Sequence, residues 1–183
     1  MAQSLREGPS PLNVALRHAI EIAEALDAIH HQNLTHGDLK PANVMLSKGS
    51  ARLMDFGLAG IVDQWPYGEL PANAALSLHQ SVGYLPHKGY DRSDPRNDIY
   101  ALGTVIYEMV TGKRAFGDKN LHEIIRAIEE HNTPLPSSLQ PLIPMKLDQL
   151  IMKCLAEAPD KRWQSAKELC SELKRIFLEI NPA

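Results

Sequence analysis

The first third of the chain combines one helical pattern of apolar residues with two short apolar runs. Residues 11–32 carry apolar side chains three and four positions apart, which predicts an amphipathic helix with Pro11 in its first turn. The runs "NVML" and "ARLMD", joined by "SKGS", predict a small β-hairpin. Residues 57–90 are rich in glycine and proline and hold no period, so we expect a long loop, of the kind that is usually functional.

The rest of the chain is predicted to be helical. The chain is apolar nearly all round from Ile99 to Val110, which predicts a buried helix over 97–111. Asp94 and Pro95 resemble its N-cap and first turn, and Gly112 resembles its C-terminal stop. Three amphipathic stretches follow, at 120–132, 145–158 and 165–180, with a proline-rich connector at 133–144. We therefore expect a mainly α (α+β) fold, with a single short hairpin as its sheet.

Composition excludes several classes of protein. The 183 residues suit one domain, and a net charge of -3 gives no reason to expect nucleic acid as a partner. The sequence shows neither a signal peptide nor an apolar run of membrane-spanning length. Cys154 and Cys170 are far apart and outside any metal-binding pattern. We expect a cytoplasmic protein with reduced thiols and no membrane association.

A cluster of polar residues surrounds the predicted hairpin. Asn43 enters its first strand and Asp55 leaves its second, so antiparallel pairing places both at the same end, on strands roughly 4.8 Å apart. Asp38 and Lys40 lie in the loop just before that end. Carboxylate and amide oxygens suit Mg²⁺, a further carboxylate can accept a proton from a hydroxyl, and a lysine can neutralise a transferring phosphoryl group.

Any one of these residues alone is better explained as part of a polar turn that caps a helix and a hairpin. The combination is much harder to explain by chance, and it comprises seven residues: His36, Asp38, Lys40, Asn43, Asp55, Phe56 and Gly57. The segment "HGDLKPAN" followed by "DFG" resembles the catalytic core of serine/threonine protein kinases. The match implies that the chain is the large, C-terminal lobe of such a kinase, with the hairpin beside the catalytic loop.

The resemblance implies a role for each residue of the cluster. Asp38 would be the catalytic base toward a substrate hydroxyl, and Lys40 would face the γ-phosphate of ATP. Asn43 and Asp55 would hold Mg²⁺, and Met45 would lie under the adenine. The implied cofactors are ATP and Mg²⁺, and the implied partner is a protein substrate.

The resemblance continues along the rest of the chain. His36 and Phe56 would stack beneath the site, in a packed core beside Gly57. Ser81, in "SVGYLPHKGY", stands where the family has a threonine that helps to recognise the substrate hydroxyl. Asp98, in "NDIYALG", would anchor the backbone of the catalytic loop. Arg162, in "CLAEAPDKRWQSAKELC", holds the position of a buried arginine of the family.

Two departures from the family concern activity. Only 37 residues precede Asp38, none of them is a lysine, and no GxGxxG occurs, so the glycine-rich loop and lysine of a small lobe are not seen. The chain would be a fragment, would borrow the missing half from another chain, or would not need it. Gly37 replaces the arginine that normally pairs with a phosphate on the activation segment, so we expect activity to be independent of phosphorylation within 58–85.

A third departure concerns the end of the activation segment. The family has Ala-Pro-Glu, whose glutamate pairs with the buried arginine, whereas the aligned residue here is Lys88. A lysine opposite Arg162 would repel it, and an unpaired buried charge is costly. We therefore expect Asp91 or Asp94 to replace the glutamate, or this corner of the fold to be loose.

Two other functions stay open at this point. A small-molecule phosphotransferase of the aminoglycoside or choline type commonly carries "HGD" in this loop, but it usually lacks Lys40 and the "DIYALG" helix. A non-catalytic binding module would use the fold as a platform. The surface that a small lobe would otherwise cover also suggests self-association or capture of a partner.

Overall fold

The structure is a computed structural model, and it describes residues 1–55, 81–86, 91, 93–117, 121–130 and 132–181. Within these ranges the elements are α1 (Ala2–Leu5), α2 (Leu12–His30), β1 (Val44–Ser47), β2 (Ser50–Leu53), α3 (Arg96–Thr111), α4 (Leu121–Glu129), α5 (Pro136–Leu139), α6 (Met145–Cys154) and α7 (Ala166–Ile180). Short 3₁₀ turns lie at Pro41–Asn43 and Pro159–Lys161. The mainly α prediction is confirmed. Most of the loop predicted at 57–90 falls outside the described residues.

Helix α2 packs along α7 and also touches α3 and β2. Its buried face includes Ala15, Ala19 and Ala23, and these small side chains let neighbouring backbones approach closely. Pro11 lies immediately before the helix, in an extended conformation, and not in its first turn as predicted. The helix ends at His30, and Asn33 follows with a positive φ of 55°, a conformation that asparagine tolerates better than most residues.

The hairpin forms where it was predicted. Lys48 and Gly49 both have positive φ, 50° and 80°, as a two-residue turn between twisted strands requires. Val44 pairs with Leu53, and Met45 with Arg52. Side chains alternate between the two faces of the hairpin. Val44 and Ala51 are buried, whereas Met45 and Arg52 are exposed, so one face packs on the core and the other is open.

Helix α3 runs through the core, and almost all of its residues are buried. Asp94 Oδ1 accepts the backbone N–H of Arg96 at 2.9 Å, which satisfies a donor in the first turn. Gly112 adopts the left-handed conformation, with a φ of 70°, and ends the helix. The predicted end at Gly112 is confirmed, whereas Pro95 occupies the N-cap position in place of the predicted Asp94.

The closing helices surround α3. Ser165 caps α7 by accepting the backbone N–H of Glu168 at 3.1 Å. Trp163 packs between α6 and α7, where its indole N–H donates to the Leu150 carbonyl at 3.2 Å and Lys153 Nζ lies 3.6 Å from its ring centroid. The sequence pattern did not reveal α5, which lies in the proline-rich connector. None of the helices in the described part of the chain is both long and apolar enough to cross a membrane.

Candidate active site

The loop between α2 and β1 is fixed by Asp98 of α3. One carboxylate oxygen of Asp98 accepts the backbone N–H of His36 at 2.8 Å, and the other accepts that of Gly37 at 2.9 Å. The ring Nε2 of His30 lies 2.9 Å from the same carboxylate. Asp98 is only 2% exposed, so these are low-dielectric contacts that hold the loop tightly. No sequence spacing indicates the contact of His30 with Asp98, because it depends on tertiary packing.

The backbone around Gly37 bends sharply. Gly37 has a φ of 74°, a region where a side chain is strained and glycine is not. The N–H of Asp38 reaches back to Nδ1 of His36 at 3.3 Å. His36 is fully buried, and burial lowers its pKa because it disfavours the imidazolium, although the charge of Asp98 opposes this. A neutral His36 therefore supports the turn that presents Asp38.

Three polar side chains meet at the centre of the site. Lys40 Nζ lies 2.7 Å from Asp38 Oδ2 and donates to Ser81 Oγ at 2.8 Å. Ser81 in turn donates to Asp38 Oδ1 at 2.8 Å. Lys40 and Ser81 are buried, whereas Asp38 is only partly covered. The arrangement holds both oxygens of one carboxylate at the surface of the loop, with a cation beside them.

Asn43 is drawn to the same carboxylate by the 3₁₀ turn that precedes β1. Its Nδ2 donates to the Asp38 carbonyl at 2.8 Å and to Asp38 Oδ2 at 3.0 Å. This network assigns the amide orientation. Both N–H groups are used, so the side-chain oxygen of Asn43 remains as an acceptor for a ligand.

Asp55 lies at the end of the hairpin that Asn43 begins. The backbone N–H of Met54 donates to the Asn43 carbonyl at 2.9 Å, which ties these two ends together. Asp55 is exposed and has a positive φ of 56°. Within the described residues its carboxylate has no hydrogen bond to Asp38, Lys40 or Asn43. The structure thus brings Asp38, Lys40, Asn43 and Ser81 into contact and places Asp55 at the same end of the hairpin.

The donor set at this end of the hairpin fits Mg²⁺, which binds one or two carboxylates together with neutral oxygens, phosphate oxygens and water. Asn43 offers an amide oxygen and Asp55 an exposed carboxylate. Met45, on the open face of the hairpin, is 43% exposed and offers an apolar surface next to them. Phe56 and Gly57, which the sequence placed at this site, lie outside the described residues.

The buried Arg162 is satisfied differently from our expectation. It is only 1% exposed, and its guanidinium lies 5.0 Å from the ring centroid of Tyr100. Asp94 pairs instead with Arg96, at 2.7 Å, and Asp91 accepts from Ser93. Within the described residues, Arg162 donates to four neutral oxygens: the carbonyls of Ala156, Glu157 and Arg96, and Oδ1 of Asn97. Lys88 lies outside the described residues.

Comparisons with known proteins identify the family to which this chain is similar. The family described as "Protein kinase domain" matches residues 3–173. A probable serine/threonine-protein kinase of Clostridium perfringens is 34% identical over 177 residues, which cover 96% of this chain and 25% of that protein. The serine/threonine-protein kinase PknB of Mycolicibacterium smegmatis is 34% identical over 169 residues, 89% of this chain and 27% of that protein.

The family match over most of the chain defines one class of protein, and the helix-rich fold with its minimal sheet is consistent with that class. The chain belongs to the protein kinase domain family. It spans about a quarter of the length of the relatives that it matches.

Proposed function

We propose that residues 1–183 form the large, C-terminal lobe of a serine/threonine protein kinase, which transfers the γ-phosphate of ATP to serine or threonine hydroxyls of proteins. The observation that carries this proposal is the closed network of Asp38, Lys40 and Ser81. Such a network positions a base and a cation where a hydroxyl and a phosphoryl group would meet.

In this proposal Asp38 orients the substrate hydroxyl and accepts its proton. Lys40 holds one positive charge beside Asp38, where it offsets the negative charge of the phosphoryl group. Ser81 bridges the two by accepting from Lys40 and donating to Asp38, and it presents its own oxygen to the substrate. Because Gly37 has no cationic side chain to pair with a phosphate and its N–H donates to Asp98, the proposed site takes its shape from Asp98 and not from a phosphorylated activation segment.

Asn43 and Asp55 would hold Mg²⁺, and Met45 would support the adenine of ATP. When bound, Mg²⁺ neutralises charge on the phosphates. Asn43 is held ready by its two hydrogen bonds to Asp38, so its oxygen needs no rearrangement to bind the metal.

A small lobe would supply the other half of the ATP site and cover the open face of the hairpin. We propose that these residues alone bind ATP weakly, and that the face around Met45 associates with a partner or with a second copy. Light scattering over a range of concentrations tests the second point. A monomer at every concentration would contradict self-association.

The proposed activity is tested by Asp38→Asn, with the small lobe of a related kinase fused in front of the chain. Loss of a general base should lower turnover by at least ~100-fold on a serine-containing protein. Asn keeps the shape of the side chain, so nucleotide affinity serves as the control and should change little. Retained turnover would show that Asp38 is not the base, and transfer to sugars or amines in place of protein would contradict the proposed substrate class.

A further inference from the structure

A cavity of about 690 Å³ opens beside the catalytic loop. Its walls come from three separate regions: α1, the Lys40–Ala42 turn, and the end of α3 with the turn that follows it. Tyr84 closes one side. A space of this size accommodates one or two amino-acid side chains and their backbone.

The charged residues around this cavity are mainly basic. Of the residues that the structure describes, Arg6, Lys40, Lys113 and Arg114 line it, against a single acidic residue, Glu108. Lys40 is neutralised by Asp38, which lies 2.7 Å away. Arg6 and Lys113 are exposed, and neither forms an ion pair with another described residue. Two cations therefore face the cavity without a counter-charge among the described residues.

Glu108 does not offset these two cations. The Tyr84 hydroxyl donates to Glu108 Oε2 at 2.6 Å, and the guanidinium of Arg114 lies 5.9 Å from the Tyr84 ring centroid. Burial raises the pKa of Glu108, while the charge of Arg114 opposes that shift. The carboxylate is thus enclosed by a hydroxyl and balanced by one arginine, and the remaining field in the cavity is positive.

We propose that this cavity binds an anionic side chain of the protein substrate, a carboxylate or a phosphate, next to the residue to be phosphorylated. The inference rests on the proposed function, because it assigns a substrate preference to the same site. Arg6 and Lys113 supply the attraction, since the charge of Arg114 is balanced by Glu108. Arginine is well suited to carboxylate and phosphate oxygens because it can bind two of them at once.

The position of the cavity sets the distance from the acceptor residue. Lys40 both touches Asp38 and lines the cavity, so an occupant lies about one side chain away from the hydroxyl that Asp38 would bind. An extended chain advances about 3.3–3.6 Å per residue. The anionic residue should therefore lie within about three residues of the acceptor serine.

The test uses this chain and four short fluorescein-labelled peptides that share a central serine. Flanking residues are glutamine in one, glutamate in the second, phosphoserine in the third and lysine in the fourth, and affinity is measured by anisotropy at low ionic strength. We expect glutamate or phosphoserine to bind roughly 3- to 10-fold more tightly than glutamine, as two partly exposed ion pairs would give. The ratio of the two anionic peptides identifies whether carboxylate or phosphate is preferred.

Matched variants distinguish binding in the cavity from a general effect of positive charge on the protein surface. Arg6→Gln with Lys113→Gln should abolish the preference, whereas Arg17→Gln with Lys167→Gln makes the same charge change on exposed sites of α2 and α7 and should keep it. A preference that survives in the cavity variant, a tighter complex with the lysine peptide, or no measurable binding of any peptide would overturn the inference. Phosphate transfer is assayed separately, so a lost activity with an intact peptide preference would count against the proposed function and not against the cavity.

Discussion

Ser81 donates a 2.8 Å hydrogen bond to Asp38, although 43 residues separate the two along the chain. Ser81 also accepts a hydrogen bond from Lys40, so its hydroxyl bridges the ammonium group of Lys40 and the carboxylate of Asp38. Without it, Lys40 and Asp38 would be held only by their direct ion pair. The segment that contains Ser81 is therefore part of the structure of the proposed active site.

Ser81→Ala should lower turnover by about 10- to 100-fold, because a hydrogen bond to a charged group contributes about 1.5–3 kcal/mol. Ser81→Thr keeps the hydroxyl and should retain most of the activity. Steady-state assays with the small lobe fused in front would measure both variants. Equal activity of the Ala and Thr variants would show that the hydroxyl is not needed at this position.

Asp98→Ala should destabilise the protein by about 2–4 kcal/mol, because it leaves the buried N–H groups of His36 and Gly37 without their acceptor. Urea denaturation of this chain would measure the change in the free energy of unfolding. Asp160→Ala removes an exposed carboxylate and should change stability by less than about 0.5 kcal/mol. Similar stability of the two variants would mean that the loop finds other partners.

Gly103 is where α3 and α6 approach most closely. A Cβ at this position would lie 2.4 Å from the Cβ of Cys154 and 3.3 Å from Leu155 Cδ2. Gly103→Ala should therefore destabilise the protein by about 1–3 kcal/mol, even though alanine favours a helix by about 1 kcal/mol. Thermal and urea unfolding would both measure this loss of stability.

Two further variants make the Gly103 prediction specific. Gly83→Ala adds the same methyl group where the nearest atom, Ile124 Cγ2, is 4.0 Å away, and it should be tolerated. Cys154→Gly removes the clashing atoms, so it should cost less in the Gly103→Ala background than alone. Additive effects would show that the two helices can move apart without penalty.

The sequence was sufficient to predict the elements whose structure is determined by residues close together in the chain. Three predicted features depend on residues close in sequence, and the structure contains all three. They are the helix over 97–111, its left-handed stop at Gly112 and the tight turn between β1 and β2. The short helices Ala2–Leu5 and Pro136–Leu139 were missed, because four residues are too few to show a period.

The candidate site also has one part that local sequence predicts and another that only the folded structure brings together. Antiparallel pairing of the predicted hairpin placed Asn43 and Asp55 at the same end of the hairpin, and this prediction used local sequence alone. Other contacts link distant segments, and no spacing of residues in the sequence could indicate them. They join His30 to Asp98, Tyr84 to Glu108, and Arg162 to backbone carbonyl oxygens. The family resemblance named Ser81 and Asp98, but the network that joins Ser81 to Lys40 required coordinates.

Removing the proposed metal ligand tests the nucleotide site directly. Asp55→Ala should reduce ATP affinity in the presence of Mg²⁺ to the value found with a chelator, because the carboxylate acts through the metal. Asp55→Asn keeps one oxygen and should fall between the two. Calorimetry with the small lobe fused in front would measure these affinities, and an unchanged Mg²⁺-dependent affinity in the Ala variant would remove Asp55 from the metal site.

Glu108 should make stability depend on pH in a defined direction. Burial raises its pKa above the ordinary value of 4.5, so the folded protein holds a proton that the unfolded chain releases as pH rises above 4.5. The resulting stabilisation is fully present below pH 4.5 and is lost as pH rises through the pKa of the folded state. Glu108→Gln keeps an acceptor for the Tyr84 hydroxyl but cannot ionise.

The Glu108→Gln variant should therefore match the original chain in melting temperature below pH 4.5 and exceed it increasingly toward pH 7. Thermal unfolding of both proteins across this range provides the measurement, and taking their difference cancels the other titrating groups. Glu7→Gln makes the same substitution at an exposed site and should show a smaller change. The same variant also removes the single acidic side chain that lines the cavity, so it should strengthen binding of the glutamate peptide. If its melting temperature fell relative to the original chain as pH rose, the Glu108 carboxylate would be stabilised by Arg114 more than burial opposes it.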